Sequence, residues 1–96
     1  MPEIGDHAVL SRTRELLAAP LDRELVALNV DTGLCYGFSE TAAAVWECLA
    51  QPTTLSEISK RLTVSFEIGE AECRNEIRPL IGRLAEEGLI TVAPPA

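Results

Sequence analysis

The segment Leu34-Cys35-Tyr36-Gly37-Phe38, followed at once by Ser39-Glu40-Thr41-Ala42-Ala43-Ala44-Val45-Trp46-Glu47, constrains the fold more than any other. Its hydrophobic pattern changes period within a few residues. Leu34, Tyr36 and Phe38 alternate with Cys35 and Gly37, which is the period of a strand. Ala42, Val45, Trp46 and Leu49 then recur at helical spacing. Ser39 is suited to cap the helix and Glu40 to sit at its positive start. A strand must therefore hand over directly to a helix, and both must bury an apolar face in one core.

Upstream of this switch the chain reads as sheet. Leu16-Leu17-Ala18-Ala19 is a first strand ending at Pro20, a residue that suits a strand end or an edge because it has no N–H to donate. Leu21-Asp22-Arg23-Glu24 reads as a turn, and Leu25–Val30 as a second strand. Asp31-Thr32-Gly33 is a tight hairpin loop, with Gly33 free to take positive φ. The third strand is 34–38. Gly37 is unusual in a strand interior, where glycine marks a bulge or the close approach of another backbone. Strand alternation leaves open which face of 34–38 meets the core; Phe38 and Trp46 are expected inside it.

Downstream the pattern is helical. The first helix spans about 40–50 and ends before Pro52. Thr54-Leu55-Ser56-Glu57 matches a capping box, and Leu55, Ile58 and Leu62 line one face of a second helix. Residues 63–68 read as a connection whose apolar members tuck into the core. A third helix over about 70–87 carries Cys73, Ile77, Leu80, Ile81 and Leu84 as its stripe, is interrupted by Pro79, and stops at Gly88. Leu89–Val92 is a short terminal strand. These elements predict an α+β domain over 14–92, with an irregular lead-in at 1–13, of which His7-Ala8-Val9-Leu10 could be extended, and a tail at 93–96.

Composition narrows the function. Ninety-six residues with 47% apolar content make one globular domain. No apolar run reaches the roughly 18 residues of a membrane span. The N-terminus lacks the basic and apolar regions of a signal peptide, so a cytoplasmic location is expected. The net charge of −7 disfavours nucleic acid, which needs a basic footprint. Cys35, Cys48 and Cys73 show no metal-ligand spacing and read as small core residues, and the one histidine, His7, has no partner base or nucleophile. Neither a catalytic constellation nor a metal or cofactor site is expected. The order helix–helix–helix–strand has the shape of a winged helix-turn-helix, but the third helix sets Arg74, Arg78 and Arg83 against Glu70, Glu72, Glu76, Glu86 and Glu87, a net acidic surface that argues against a transcriptional regulator.

The run from Leu28 to Glu47, with Thr54-Leu55-Ser56-Glu57-Ile58 and Leu84-Ala85-Glu86-Glu87-Gly88-Leu89-Ile90, resembles the PqqD-like family of peptide-recognition domains. The resemblance implies a winged helix-turn-helix fold, with a three-stranded antiparallel sheet packed on a three-helix bundle. It implies a non-catalytic adaptor that holds the leader of a ribosomally made, modified precursor peptide as an added strand. The leader would lie between the third strand and the third helix. The expected site is Leu34, Cys35, Tyr36, Gly37 and Phe38 on one side and Arg74, Ile77, Arg78, Ile81 and Leu84 on the other. Arg74 and Arg78 would form a basic rim, unless they serve in surface pairs such as Glu70–Arg74. The Asp-Thr-Gly hairpin and Tyr-Gly-Phe strand look like members from lasso-peptide systems, in which a cysteine-type leader peptidase and an ATP-dependent cyclase do the chemistry. The alternative is a peptide chaperone of pyrroloquinoline quinone synthesis. An exposed third strand also allows a homodimer.

Overall fold

The computed structural model describes residues 4–13 and 16–94. The extreme ends of the expected lead-in and tail, and the expected domain start at Arg14 and Glu15, lie outside the described residues. The elements in chain order are β1 (Val9–Arg12), β2 (Leu17–Leu21), β3 (Glu24–Leu28), β4 (Cys35–Phe38), α1 (Glu40–Cys48), α2 (Leu55–Phe66), α3 (Glu70–Glu86) and β5 (Ile90–Ala93). They form an α+β fold with two antiparallel sheets. One is three-stranded in the order β2-β3-β4, and the other pairs β1 with β5.

The three-stranded sheet and the three helices match the expectation. The lead-in does not: Val9–Arg12 is a strand, because its partner lies at the far end of the chain, with Leu10 opposite Val92 and Arg12 opposite Ile90. Such a pairing leaves no local signal. Leu10 also exchanges backbone hydrogen bonds with Thr53 (2.7 and 3.0 Å), which ties the ribbon to the α1–α2 connection. The Arg12 guanidinium lies 4.2 Å from the Trp46 ring centroid and donates to the Trp46 carbonyl.

The second helix is longer than its capping box and first stripe suggest. Residues 63–66 continue it, since Phe66 follows Leu62 at i+4 and extends the buried row. Glu67, at φ 52°, ends it. Thr54 Oγ1 accepts from the Glu57 N–H (3.1 Å) and Ser39 Oγ from the Ala42 N–H (3.2 Å), so both expected caps form. Pro79 lies on the exposed side of α3, where a backbone hydrogen bond lost to the proline costs least because water is at hand.

Two local devices set the elements around the strand-to-helix switch. Asn29, almost fully buried, accepts from the Asp31 and Thr32 N–H groups through Oδ1 (3.1 and 3.4 Å), while its own N–H donates to Leu34 O (2.9 Å). This Asx-type turn fixes the β3–β4 hairpin and lets Gly33 sit at φ 76°. At the end of α3, Leu89 N–H reaches Leu84 O (2.9 Å), Gly88 N–H reaches Ala85 O (3.0 Å), and Gly88 has φ 73°. That is a Schellman motif, which brings Leu84 and Leu89 together.

The core lies between the sheet's inner face and the helices. Ala27 and Phe38 from the sheet, Val45, Trp46 and Leu49 from α1, Leu55 and Ile58 from α2, and Ile77 and Ile81 from α3 are all buried. Ser59 on α2 is also buried and donates to Leu55 O (2.8 Å), so its hydroxyl is satisfied. Cys73 is buried beside it, and burial pushes its thiol pKa up. Cys48 is half-buried, but Cys35 is exposed, contrary to the reading of all three cysteines as core: its phase on β4 turns it away from Phe38.

Candidate binding cleft

The hydrogen-bond phase of the three-stranded sheet decides what each edge offers. Asn29 N–H bonds Leu34 O, and the two-residue turn at Asp22-Arg23 closes on the Leu21–Glu24 pair. In an antiparallel ladder, bonded and non-bonded pairs alternate. Tyr36 and Phe38 therefore direct their backbone groups to β3, across from Ala27 and Leu25. Cys35 and Gly37 direct theirs outward, to the free edge of β4. On the opposite edge the outward positions of β2 are Ala18 and Pro20. Pro20 thus sits within β2 without costing a ladder bond, and it removes a donor from that edge. One edge is blunted and the other is open.

The open edge borders a cleft of about 470 Å³. Cys35, Tyr36, Gly37 and Phe38 form one wall, Ser39 and Ala42 the end where β4 passes into α1, and Leu80, Arg83, Leu84, Glu87 and Leu89 the other wall. Tyr36 stacks on Phe38 with centroids 6.4 Å apart, and Phe38 meets Trp46 at 5.8 Å, so an aromatic row runs from the cleft into the core. The Schellman motif seats Leu84 and Leu89 at its floor. Arg83 and Glu87, one turn apart, give the α3 rim one charge of each sign, and both are exposed.

Five of the ten expected residues line this cleft: Cys35, Tyr36, Gly37, Phe38 and Leu84. Leu34 lies just before β4, half exposed at 52%. Ile77 and Ile81 are 1% and 0% exposed and belong to the core. Arg74 and Arg78 face another part of the molecule. Arg78 donates to the Ile4 carbonyl and to Asp6 Oδ1 (2.8 Å), while Arg74 lies 3.7 Å from Asp6 Oδ2 and 3.0 Å from Glu70 Oε1. Two arginines thus clamp the N-terminal segment, seat Ile4 in the core, and hold the Asp6 carboxyl below the usual carboxylate range, chiefly through the Arg78 hydrogen bond.

Leu80, Arg83 and Glu87 take the places on the α3 wall that Ile77, Ile81 and the two other arginines were expected to hold. The helical wheel carries the signal. Positions 80, 84 and 87 are rotated about 60° from 77, 81 and 84, so the cleft row borders the core row and shares Leu84 with it. Ser39, Ala42 and Leu89 were missed because each already had a structural explanation, as cap, helix core and terminal strand.

Comparison with curated protein sequences returned no match. Among solved structures, "TbiB1 in Complex with the TbiA(beta) Leader Peptide" aligns with a TM-score of 0.72 at 20% identity, covering 83% of this chain and 93% of that one. "Lasso peptide synthetase B1 complexed with the leader peptide" aligns at 0.70 and 22%, covering 85% and 96%. The PqqD truncation of Methylobacterium extorquens PqqCD, a stand-alone recognition element for ribosomally made and modified peptides, aligns at 0.75 and 18%, covering 92% and 94%. At these identities the likeness is one of fold. The sequence itself matches the family model for coenzyme PQQ synthesis protein D over residues 24–90, from the start of β3 to the start of β5 and through every element that lines the cleft, and the chain therefore belongs to the PqqD family.

Proposed function

We propose that this chain is a non-catalytic adaptor that binds the leader of a ribosomally made precursor peptide as an added strand on β4, in the cleft against α3. It would present the bound precursor to a leader peptidase and an ATP-dependent cyclase, as in a lasso-peptide system. The observation that carries the reading is the open β4 edge beside an apolar cleft, set against the proline-blunted β2 edge. Two of the similar structures are leader-peptide complexes, which supports the choice of ligand and of pathway. The family match equally supports a peptide chaperone of pyrroloquinoline quinone synthesis, which would use the same cleft. The three helices and the β1–β5 ribbon fit a winged helix-turn-helix, although α3 presents its acidic residues and not a basic reading surface.

The energetics say where affinity must arise. Cys35 and Gly37 offer two N–H and two C=O groups, each hydrogen bond worth ~1 kcal/mol net. Ordering an extended peptide costs ~1–2 kcal/mol per residue. Backbone pairing therefore fixes direction and register, and apolar side chains on Tyr36, Leu80, Leu84 and Leu89 supply the affinity, at ~1.5–3 kcal/mol per buried anchor. In a fluorescence-anisotropy titration with the synthetic leader of the precursor encoded beside this chain, Leu80→Glu should weaken binding at least tenfold while the thermal midpoint stays within a few degrees. N-methylating the leader at alternate residues should do the same in one phase only. Unchanged affinity in both experiments would remove the cleft from the binding site.

A further inference from the structure

Among the described residues, nothing covers the outer face of the three-stranded sheet. Cross-strand register places Leu17, Leu28 and Cys35 in one row, Ala19, Val26 and Gly37 in the next, and Leu21 with Glu24 in the last. An antiparallel sheet with one solvated face normally alternates apolar-in with polar-out. Here Leu17, Leu21 and Val26 are 62%, 60% and 41% exposed, and Glu24, beside the turn, carries the only charge in the three rows. Packing of this domain does not explain them, since the sheet's other face holds Ala27, Tyr36 and Phe38 against the helices.

We infer that this face docks the enzyme that acts on the bound peptide, the enzyme bringing to it a flat apolar surface ringed by basic side chains. The inference rests on the adaptor reading. Three observations select the occupant. First, the face is small: three strands at ~4.8 Å spacing, about five residues long at ~3.3 Å each, cover on the order of 250 Å². A stable interface buries ~800 Å² per partner, so the face suits a partner that docks briefly, as an enzyme acting on the bound peptide does, and is too small for a lasting dimer of this chain. Second, the turn end of the face carries Asp22 and Glu24 against Arg23, on a chain of net charge −7. A second copy repels this rim, and a basic one is drawn to it. Third, the face is continuous with the open β4 edge. A peptide added there becomes the fourth strand, widens the face by about a third, and shows its alternate side chains beside Cys35 and Gly37. The enzyme then reads protein and peptide together, and by linkage each tightens the binding of the other.

The test reconstitutes leader removal from the purified chain, its precursor and the leader peptidase encoded with them. Val26→Lys and, separately, Leu17→Glu should leave precursor affinity within twofold by anisotropy and the circular-dichroism melt unchanged, yet lower kcat/KM for cleavage at least tenfold. Asp22→Lys with Glu24→Lys should lower it further and remove its salt dependence. Cleavage at the wild-type rate with both apolar variants would overturn the docking face while leaving the adaptor reading intact. A wild-type dimer in sedimentation velocity that either variant splits would also overturn it, in favour of a second copy. Failure of the wild-type chain to bind the precursor at all would sink both readings together.

Discussion

Asn29 shows how one polar side chain can set a binding edge. Its amide oxygen holds the Asp31 and Thr32 N–H groups, and the turn this makes aligns β4 with β3. Asn29→Ala removes both turn hydrogen bonds, each worth ~0.5–1.5 kcal/mol net, so the domain should lose about 1–3 kcal/mol in urea unfolding. Leader affinity should fall with it as the β4 register loosens. Ile81 and Leu80 separate stability from binding on neighbouring positions of one helix. Ile81→Ala should cost about 2–5 kcal/mol by cavity formation, whereas Leu80→Ala, at a half-buried cleft position, should cost less stability and more affinity. Sequence alone placed both leucine and isoleucine in one apolar stripe. A stripe that serves a core on one flank and a ligand on the other reads as uniformly apolar, and only the position of the sheet tells the flanks apart.

At the scale of elements, legibility followed locality. The β3 and β4 strands, α1 and α3, the Ser39 and Thr54 caps and the Gly88 stop could be read because each depends on residues within a turn or a hairpin of one another. The β1–β5 pairing could not, since its partners lie about 80 residues apart in sequence. The Arg74 and Arg78 clamp was hidden for the same reason: helical spacing shows Glu70 beside Arg74, but not Asp6. That clamp carries a pH dependence. Asp6 has its carboxyl pKa lowered from 3.8, so its contribution is complete above the ordinary carboxylate value and is lost as pH falls through the lowered one. The Ser56 N–H, which donates to the Asp6 carbonyl (3.1 Å), reports the segment directly. Its hydrogen-exchange protection should fall on acidification below about pH 4, and Asp6→Asn should show the weaker protection already at neutral pH. Equal protection in both proteins across that range would mean that Ile4 burial alone seats the segment.

Considered whole, the molecule is a three-helix body carrying a sheet of which one edge and one face remain unsatisfied. On the proposed function, a peptide, an enzyme and a second copy of the chain would compete for these surfaces on different terms. Two copies meeting edge to edge through β4 would occupy the same Cys35 and Gly37 groups that a leader needs. Any dimer seen at high protein concentration should therefore dissociate on adding saturating leader peptide, with the sedimentation coefficient returning to that of the monomer. A dimer that survives saturation would place its contact elsewhere.

Pro20 gives this arrangement a consequence for growth. A strand that pairs on both sides can pass the pairing on, and copies then stack without limit. With Pro20 at one of the two outward positions of β2, that side lacks a donor and pairs poorly, so the sheet adds preferentially at β4. Whatever joins β4 is the last to join, so the unsatisfied edge acts as a socket of valence one and not as the seed of a fibre.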